Sequence, residues 1–210
     1  MPSPPHRPHM NKRSRLMLAI AAVLGGTVVF GMTLTHALLY APGNPVEIPQ
    51  LQLHQHIVAA SAEKPLRLKI PALDINASVQ YVTVNGRGEV GIPSNFTDVA
   101  WYKNGPIPGQ LGSAIVDGHV DNGLGLAGVF KHLGDIKIGD DVYVDTVGGT
   151  SLHFKVVDIE SYPYKDPPLA QIFSQSDTAR LNLITCEGGW VAGDRTYDHR
   201  LVVYTELQPT

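Results

Sequence analysis

Hydrophobic and polar positions change their spacing twice along the chain. Leu16 to Tyr40 is a continuous apolar run with no Asp, Glu, Lys or Arg. Wound as a helix rising about 1.5 Å per residue, it exceeds the roughly 30 Å hydrocarbon thickness of a bilayer. A transmembrane anchor is therefore predicted over residues 16–40. The alternative, a cleaved signal peptide ending at Thr35-His36-Ala37, fits less well because the apolar part of such a peptide usually runs about 7–15 residues. Residues 41–64 carry Pro42, Pro45 and Pro49, show no clear amphipathic period and read as a stalk.

From Pro65 the pattern changes to short runs rich in Val, Ile and Tyr, separated by Gly, Pro, Asn and Asp, which is an all-β signature. Strands are predicted near Arg67–Ile70, Ser78–Val84, Gly91–Pro93, Ser113–Gly118, Asp141–Thr146, Leu152–Tyr162, Leu181–Thr185 and His199–Leu207. Asn85-Gly86 and Gly148-Gly149 read as tight turns between neighbouring strands. Helical turns are expected at Ala127–Leu133 and Leu169–Phe173, as insertions between strands. That order disfavours a parallel α/β sheet and leaves a closed barrel or a sandwich over residues 65–210.

Charge adds an orientation. No acid precedes Glu47, whereas Arg7, Lys12, Arg13 and Arg15 cluster just before the apolar run. Basic flanks hold their end of a spanning helix in the cytoplasm, so residues 1–15 are expected inside and everything after Tyr40 outside the membrane. The net charge of the whole chain is only −3. With acids and bases mixed through the body, there is no broad basic footprint for nucleic acid.

The chain has a single cysteine, Cys186. A lone thiol exported to an oxidising compartment makes no internal disulfide, so Cys186 is either buried and inert or kept for reactivity. It closes the run Leu181-Asn182-Leu183-Ile184-Thr185-Cys186 and precedes Glu187-Gly188-Gly189, which reads as the mouth of a strand. Strict alternation there places Asn182, Ile184 and Cys186 on one face and Leu181, Leu183 and Thr185 on the other.

Two further features carry chemistry. Ala114 to Asp121 is an apolar strand ending in Asp117-Gly118-His119-Val120-Asp121. A histidine near a thiol stabilises a thiolate and protonates a leaving amine. Read alone, the same acids and histidine also suit a metal, but no second ligand cluster accompanies them. In Asp198-His199-Arg200-Leu201-Val202-Val203, a permanently charged donor opens the last predicted strand, where it can hold a carbonyl or an oxyanion.

In the order histidine, cysteine, arginine, each at a strand terminus, these residues resemble the sortase family. The likeness is carried by Asp117 to Asp121, by Asn182-Leu183-Ile184-Thr185-Cys186 against the family's Thr-Leu-x-Thr-Cys, and by Arg200 to Val203. Leu68-Lys69-Ile70-Pro71, Trp101-Tyr102, Pro108-Gly109 and Phe130 through Ile138-Gly139-Asp140 extend it over about Pro65 to Leu207. The chain departs from the family at Asn182, where Thr is usual. Asp-Gly-His-Val-Asp and the lack of a long insertion before the cysteine are most similar to class F or E.

The resemblance implies an eight-stranded barrel and a membrane-anchored cysteine transpeptidase. Its substrates would be proteins with a Leu-Pro-x-Thr-Gly-like (LPXTG) sorting signal, cleaved between Thr and Gly. Cys186 would form a thioester, His119 would protonate the departing amine, Arg200 would hold the substrate and the oxyanion, and Thr185 and Ile184 would support and contact the substrate. An amine of a peptidoglycan precursor or a pilin lysine would resolve the thioester. No cofactor or metal is expected. Two rivals are another extracytoplasmic cysteine acyltransferase of the L,D-transpeptidase kind, whose Ser-x-Gly-Cys-x-Arg pattern differs from Ile184-Thr185-Cys186-Glu187-Gly188, and a tethered barrel that binds a peptide without turnover.

Overall fold

Alternating burial makes the strands of the barrel. In β1 (Pro65–Ile70) Leu68 and Ile70 are buried while Leu66 is exposed, and in β5 (Asp141–Thr146) Val142, Val144 and Thr146 point inward. This two-residue period sends one side of each strand to a common core. The computed structural model describes residues 63–84, 90–175 and 177–209, together with Arg13 and Met17. The chain divides into two units, Met1–Leu38 and Leu39–Thr210. The predicted anchor (apart from Met17), the stalk up to residue 62 and the Asn85-Gly86 turn lie outside the described residues.

The remaining strands are β2 (Ile75–Val82), β3 (Val99–Tyr102), β4 (Gly112–Gly118), β6 (Ser151–Pro163), β7 (Ala179–Val191) and β8 (Thr196–Leu207). They close into a barrel in the order β1-β2-β3-β4-β7-β8-β6-β5, with β5 paired back onto β1. Two pairs, β2–β3 and β4–β7, are parallel, and the others are antiparallel. Leu68, Val99, Trp101, Val116, Phe130, Val142, Phe154, Leu181, Leu183, Leu201 and Val203 are among the residues that fill the interior.

β4 and β7 are buried on both faces, which their nearly unbroken apolar runs dictate. Their outer face is covered by helix α1 (Leu169–Phe173), where Ile115, Ile184, Val202 and Tyr204 gather around Ile172. Five residues are too few for a helix to stand alone. Burial of Ile172, worth roughly 1.5–3 kcal/mol, and a 2.7 Å hydrogen bond from Asn182 Nδ2 to the Ile172 carbonyl hold it in place. The departure from Thr at Asn182 thus has a structural use, since a threonine side chain is too short to span from strand to helix.

Several expectations need correction. Gly91–Pro93 is not a strand: only Val90 forms a bridge, to Val84, and the Pro93 carbonyl is taken by the His119 ring. β3, absent from the predicted set, supplies the missing eighth strand through Val99-Ala100-Trp101-Tyr102. Ala127–Leu133 is not helical, because its amides are spent elsewhere. Gly128 and Phe130 donate to the carbonyls of Val120 and His119, and Val129 donates to Phe96. A short 3-10 turn follows at Leu133–Asp135. The helix at Leu169–Phe173 and the turn at Gly148-Gly149, with Gly149 at φ +90°, are as predicted.

Candidate active site

β7 does not end at Cys186, nor does β8 begin at Arg200. The two strands continue as a hairpin to Val191 and Thr196. Their register runs Ile184↔Val202, Thr185↔Leu201, Cys186↔Arg200 and Glu187↔His199, then skips to Trp190↔Tyr197. Gly188 and Gly189 therefore oppose Asp198 alone, which makes a β-bulge, and the Asp198 carboxylate accepts from the Gly189 amide at 2.8 Å. Gly188 sits at φ +85°, and a Cβ on it would come within 2.0 Å of Asp198 Oδ1, so only glycine fits. A Gly pair inside a strand pattern is the sequence signal for such a bulge, and bulges re-aim side chains beside reactive groups.

Because β4 and β7 are parallel, their C-terminal ends lie at the same end of the barrel. Asp117 pairs with Ile184; His119 follows two residues after the first and Cys186 two after the second. Ile115 and Ile184, which belong to the cluster beneath α1, place these rows on the outside of the barrel. Thr185 faces inward, and its hydroxyl donates to the Gly118 carbonyl at 2.7 Å, tying β7 to β4 next to His119. Gly118 is itself forced by packing, since a Cβ there would meet the Phe130 ring at 2.4 Å.

His119 is buried, with Nε2 3.0 Å from the Pro93 carbonyl. A carbonyl only accepts, so Nε2 carries the proton and Nδ1 is left as the basic atom of the neutral ring. Arg200 is only 5% exposed. Its Nη1 donates to the carbonyls of Tyr197 (3.0 Å) and His199 (2.9 Å), and its Nη2 to Thr196 Oγ1 (2.9 Å). The guanidinium also lies 5.6 Å from the centre of the Tyr164 ring. A guanidinium has five N–H donors. These contacts fix its plane, and Nε and one Nη2 hydrogen have no hydrogen-bond partner among the described residues.

Burial pushes the Cys186 thiol up to about 11; the Arg200 charge pulls against this, Asp117 and Asp121 add to it, and a hydrogen bond with Thr196 lowers it. Burial likewise raises the Asp117 carboxyl to about 6, against the opposing pull of His119 and Arg200. The Tyr197 hydroxyl donates to the Asp121 carboxylate, so the β7–β8 hairpin is tied to the loop that carries His119. Burial first, and this bond second, raise the Tyr197 hydroxyl above its usual range.

The structure thus brings Cys186 and Arg200 together as register partners, sets His119 at the end of the adjoining parallel strand, puts Ile184 on the same outer row as Cys186 and turns Thr185 to the inside. Thr196 and Tyr197 were not singled out from sequence, and Asp117 was weighed there only as one acid of the histidine motif and of a possible metal set. The first two lie in a hairpin that only the extended β7–β8 pairing reveals. Asp117 is flagged by the alternation Ser113, Ile115, Asp117, which puts a carboxylate in an otherwise uncharged outer row.

A sortase-domain family model matches residues 68–208. The chain belongs to the sortase family. It is a sortase transpeptidase with the closed barrel seen in solved members. Sortase A from Corynebacterium diphtheriae is 20% identical with a TM-score of 0.55, over 80% of this chain and 77% of that one. Sortase C-1 from Actinomyces oris is 23% identical with a TM-score of 0.53, over 70% and 76%. Sortase C from Streptococcus pneumoniae is 19% identical with a TM-score of 0.53, over 71% of each chain. At these identities the likeness speaks to the fold. No curated protein sequence matches the chain.

Proposed function

We propose that this sortase is a membrane-anchored transpeptidase that cleaves an LPXTG-like sorting signal between Thr and Gly and transfers the acyl part to an amine of the cell wall or a pilin lysine. The observation that carries the reading is the pairing of Cys186 with Arg200 on the outer face, beside the strand that ends at His119. The sulfur of Cys186 attacks the Thr carbonyl as the thiol proton passes to His119 Nδ1. The free donors of Arg200 stabilise the oxyanion. The C–N bond then breaks, the Gly amine leaves with the proton from His119, and a thioester remains on Cys186. An incoming amine attacks that thioester, gives up a proton and regenerates the thiol. The uncharged run Leu16–Tyr40, with its basic flank, supports an anchor with the catalytic domain outside.

The test is mass spectrometry of the full-length chain in detergent, incubated with Leu-Pro-x-Thr-Gly and Leu-Ala-x-Thr-Gly peptides and an amine. Cleavage after Thr with the amine joined to the new end is expected, and none from Cys186→Ala. An intact, folded enzyme that forms neither product nor acyl adduct with either peptide would overturn the signal.

A further inference from the structure

Arg200 is buried, yet among the described residues no carboxylate lies within ion-pair distance of it. The edge of its guanidinium is met by neutral acceptors instead, the carbonyls of Tyr197 and His199 and the hydroxyl of Thr196. Its remaining contact is aromatic: the guanidinium carbon lies over the Tyr164 ring, 5.6 Å from the centre. An aromatic face attracts a cation through its quadrupole. Unlike a carboxylate it carries no net charge, so the field of the guanidinium stays available to an anion that forms beside it.

The strand register explains why Tyr164 arrives there. β6 and β8 pair as far as Tyr162↔Arg200 and Pro163↔His199, and one step on the Tyr164 amide donates to the Asp198 carbonyl at 3.0 Å. Tyr164 therefore continues the outer row of Tyr162, two residues or about 7 Å nearer the hairpin end. The Arg200 side chain runs the same way, since its Nη atoms reach Thr196 and Tyr197, and its guanidinium comes to rest at the level of the Tyr164 ring. The ring is also held at its hydroxyl end, which donates to Asp194 in the turn between β7 and β8. Lys165 Nζ reaches the same carboxylate at 3.2 Å. Both of these contacts are exposed and contribute little energy. The part of Tyr164 that matters to Arg200 is the ring.

We propose that Tyr164 is a positioning residue: its ring holds the Arg200 guanidinium in place beside Cys186, so that an undiminished positive charge is presented to the sulfur and to the oxyanion formed there. The inference rests on the reading of Arg200 as the oxyanion donor. Tyr164 itself touches neither substrate nor sulfur in this scheme and acts through Arg200 alone. Its loss should therefore be felt in the transition state more than in substrate binding, and only while Arg200 is present.

The experiment is a double-mutant cycle on the full-length enzyme in detergent, with wild type, Tyr164→Leu, Arg200→Ala and the double variant, and with Tyr164→Phe beside them. Two quantities are read: peptide cleavage, and the rate at which iodoacetamide alkylates Cys186 at pH 8.5. In Tyr164→Leu, kcat is expected to fall by roughly 2- to 30-fold, the range a cation–π contact spans, while KM moves by less than about 2-fold. Alkylation should slow as well, because the charge that favours the thiolate is no longer held beside it. In the Arg200→Ala background the same substitution should leave alkylation unchanged. Tyr164→Phe, which keeps the ring, should recover most of both losses. Should Tyr164→Leu fail to fold, Tyr164→Phe and Tyr164→Trp decide, because both must keep alkylation at the wild-type rate. An equal effect of Tyr164→Leu on alkylation with and without Arg200, no effect of it on either quantity, or a Tyr164→Phe as impaired as Tyr164→Leu would overturn the role of Tyr164 and leave the transpeptidase reading in place. Absence of peptide cleavage in the wild type would overturn the sorting-signal reading instead, and the alkylation cycle would still decide whether Tyr164 positions Arg200.

Discussion

The Thr185 hydroxyl donates to the carbonyl of Gly118 at 2.7 Å, joining the residue before the nucleophile to the residue before the histidine. Both groups are buried, so the bond has no water to replace it. Thr185→Val keeps the shape and leaves the Gly118 carbonyl without this partner, a loss of about 1–3 kcal/mol. Denaturant unfolding should show that loss. Peptide cleavage should fall as well, because the two strand ends that carry Cys186 and His119 are no longer pinned. Unchanged cleavage at reduced stability would separate the bond from catalysis.

Cys186 holds its proton at neutral pH, since burial carries the thiol to about 11. The rate of iodoacetamide alkylation should therefore still be climbing at pH 9, with no plateau below it. Removing the Arg200 charge in Arg200→Ala should push the thiol higher and slow alkylation at every pH. Removing the negative charge in Asp117→Asn should do the opposite. A plateau below pH 8 in the wild-type enzyme would contradict the burial that sets this behaviour.

Asp117 makes stability depend on pH in a direction unusual for a carboxylate. Folding raises its carboxyl from 3.8 to about 6, so between these values the native state keeps a proton that the unfolded chain releases. Its contribution is full below the unfolded value and is lost as pH rises through 6, by about 2–3 kcal/mol. Asp117→Asn should flatten this part of the profile and be more stable than the wild type at pH 7. Urea midpoints at pH 4.5 and 7 for both proteins check the sign, and a wild type that gains stability relative to the variant across this range would refute it.

Tyr197 links two parts of the site at once. Its carbonyl receives Arg200 Nη1 at 3.0 Å, and its hydroxyl donates to Asp121 beyond the histidine. Tyr197→Phe leaves the first contact and removes the second. A several-fold fall in kcat is expected, with a melting temperature lowered by only a few degrees, in keeping with about 1 kcal/mol for one bond. Normal kcat in this variant would show that the hairpin and the histidine loop hold their places without it.

Most of the barrel was legible because its inward positions recur every second residue, as in β1 and β5. β3 was not, since Val99-Ala100-Trp101-Tyr102 is buried at its first three positions and offers no alternation. Gly91–Pro93 has strand-like composition, but its pairing groups are turned to the His119 ring and to Thr83. Cys186, His119 and Arg200 were visible because reactive residue types interrupt apolar runs. The contacts that position them were not, because Thr196 and Tyr197 meet Arg200, and Asp121 meets Tyr197, only once β8 is laid antiparallel to β7 and the histidine loop folds back.

The bulge at Gly188-Gly189 has a further consequence. In β7 the odd residues Leu181, Leu183 and Thr185 hold the barrel shut, while the even residues Asn182, Ile184 and Cys186 face away from its interior, the first two beneath α1 and the last at the site. The strand is in effect read in two frames, one for cohesion and one for reactivity. A substitution in either frame leaves the direction of the other's side chains unchanged, but deletion of one residue before Cys186 would exchange the frames and drive the thiol into the core. The bulge, lying after Cys186, is the place where the chain can absorb a change in length without that exchange. Length variation in this hairpin should be tolerated on its far side and lethal on its near side.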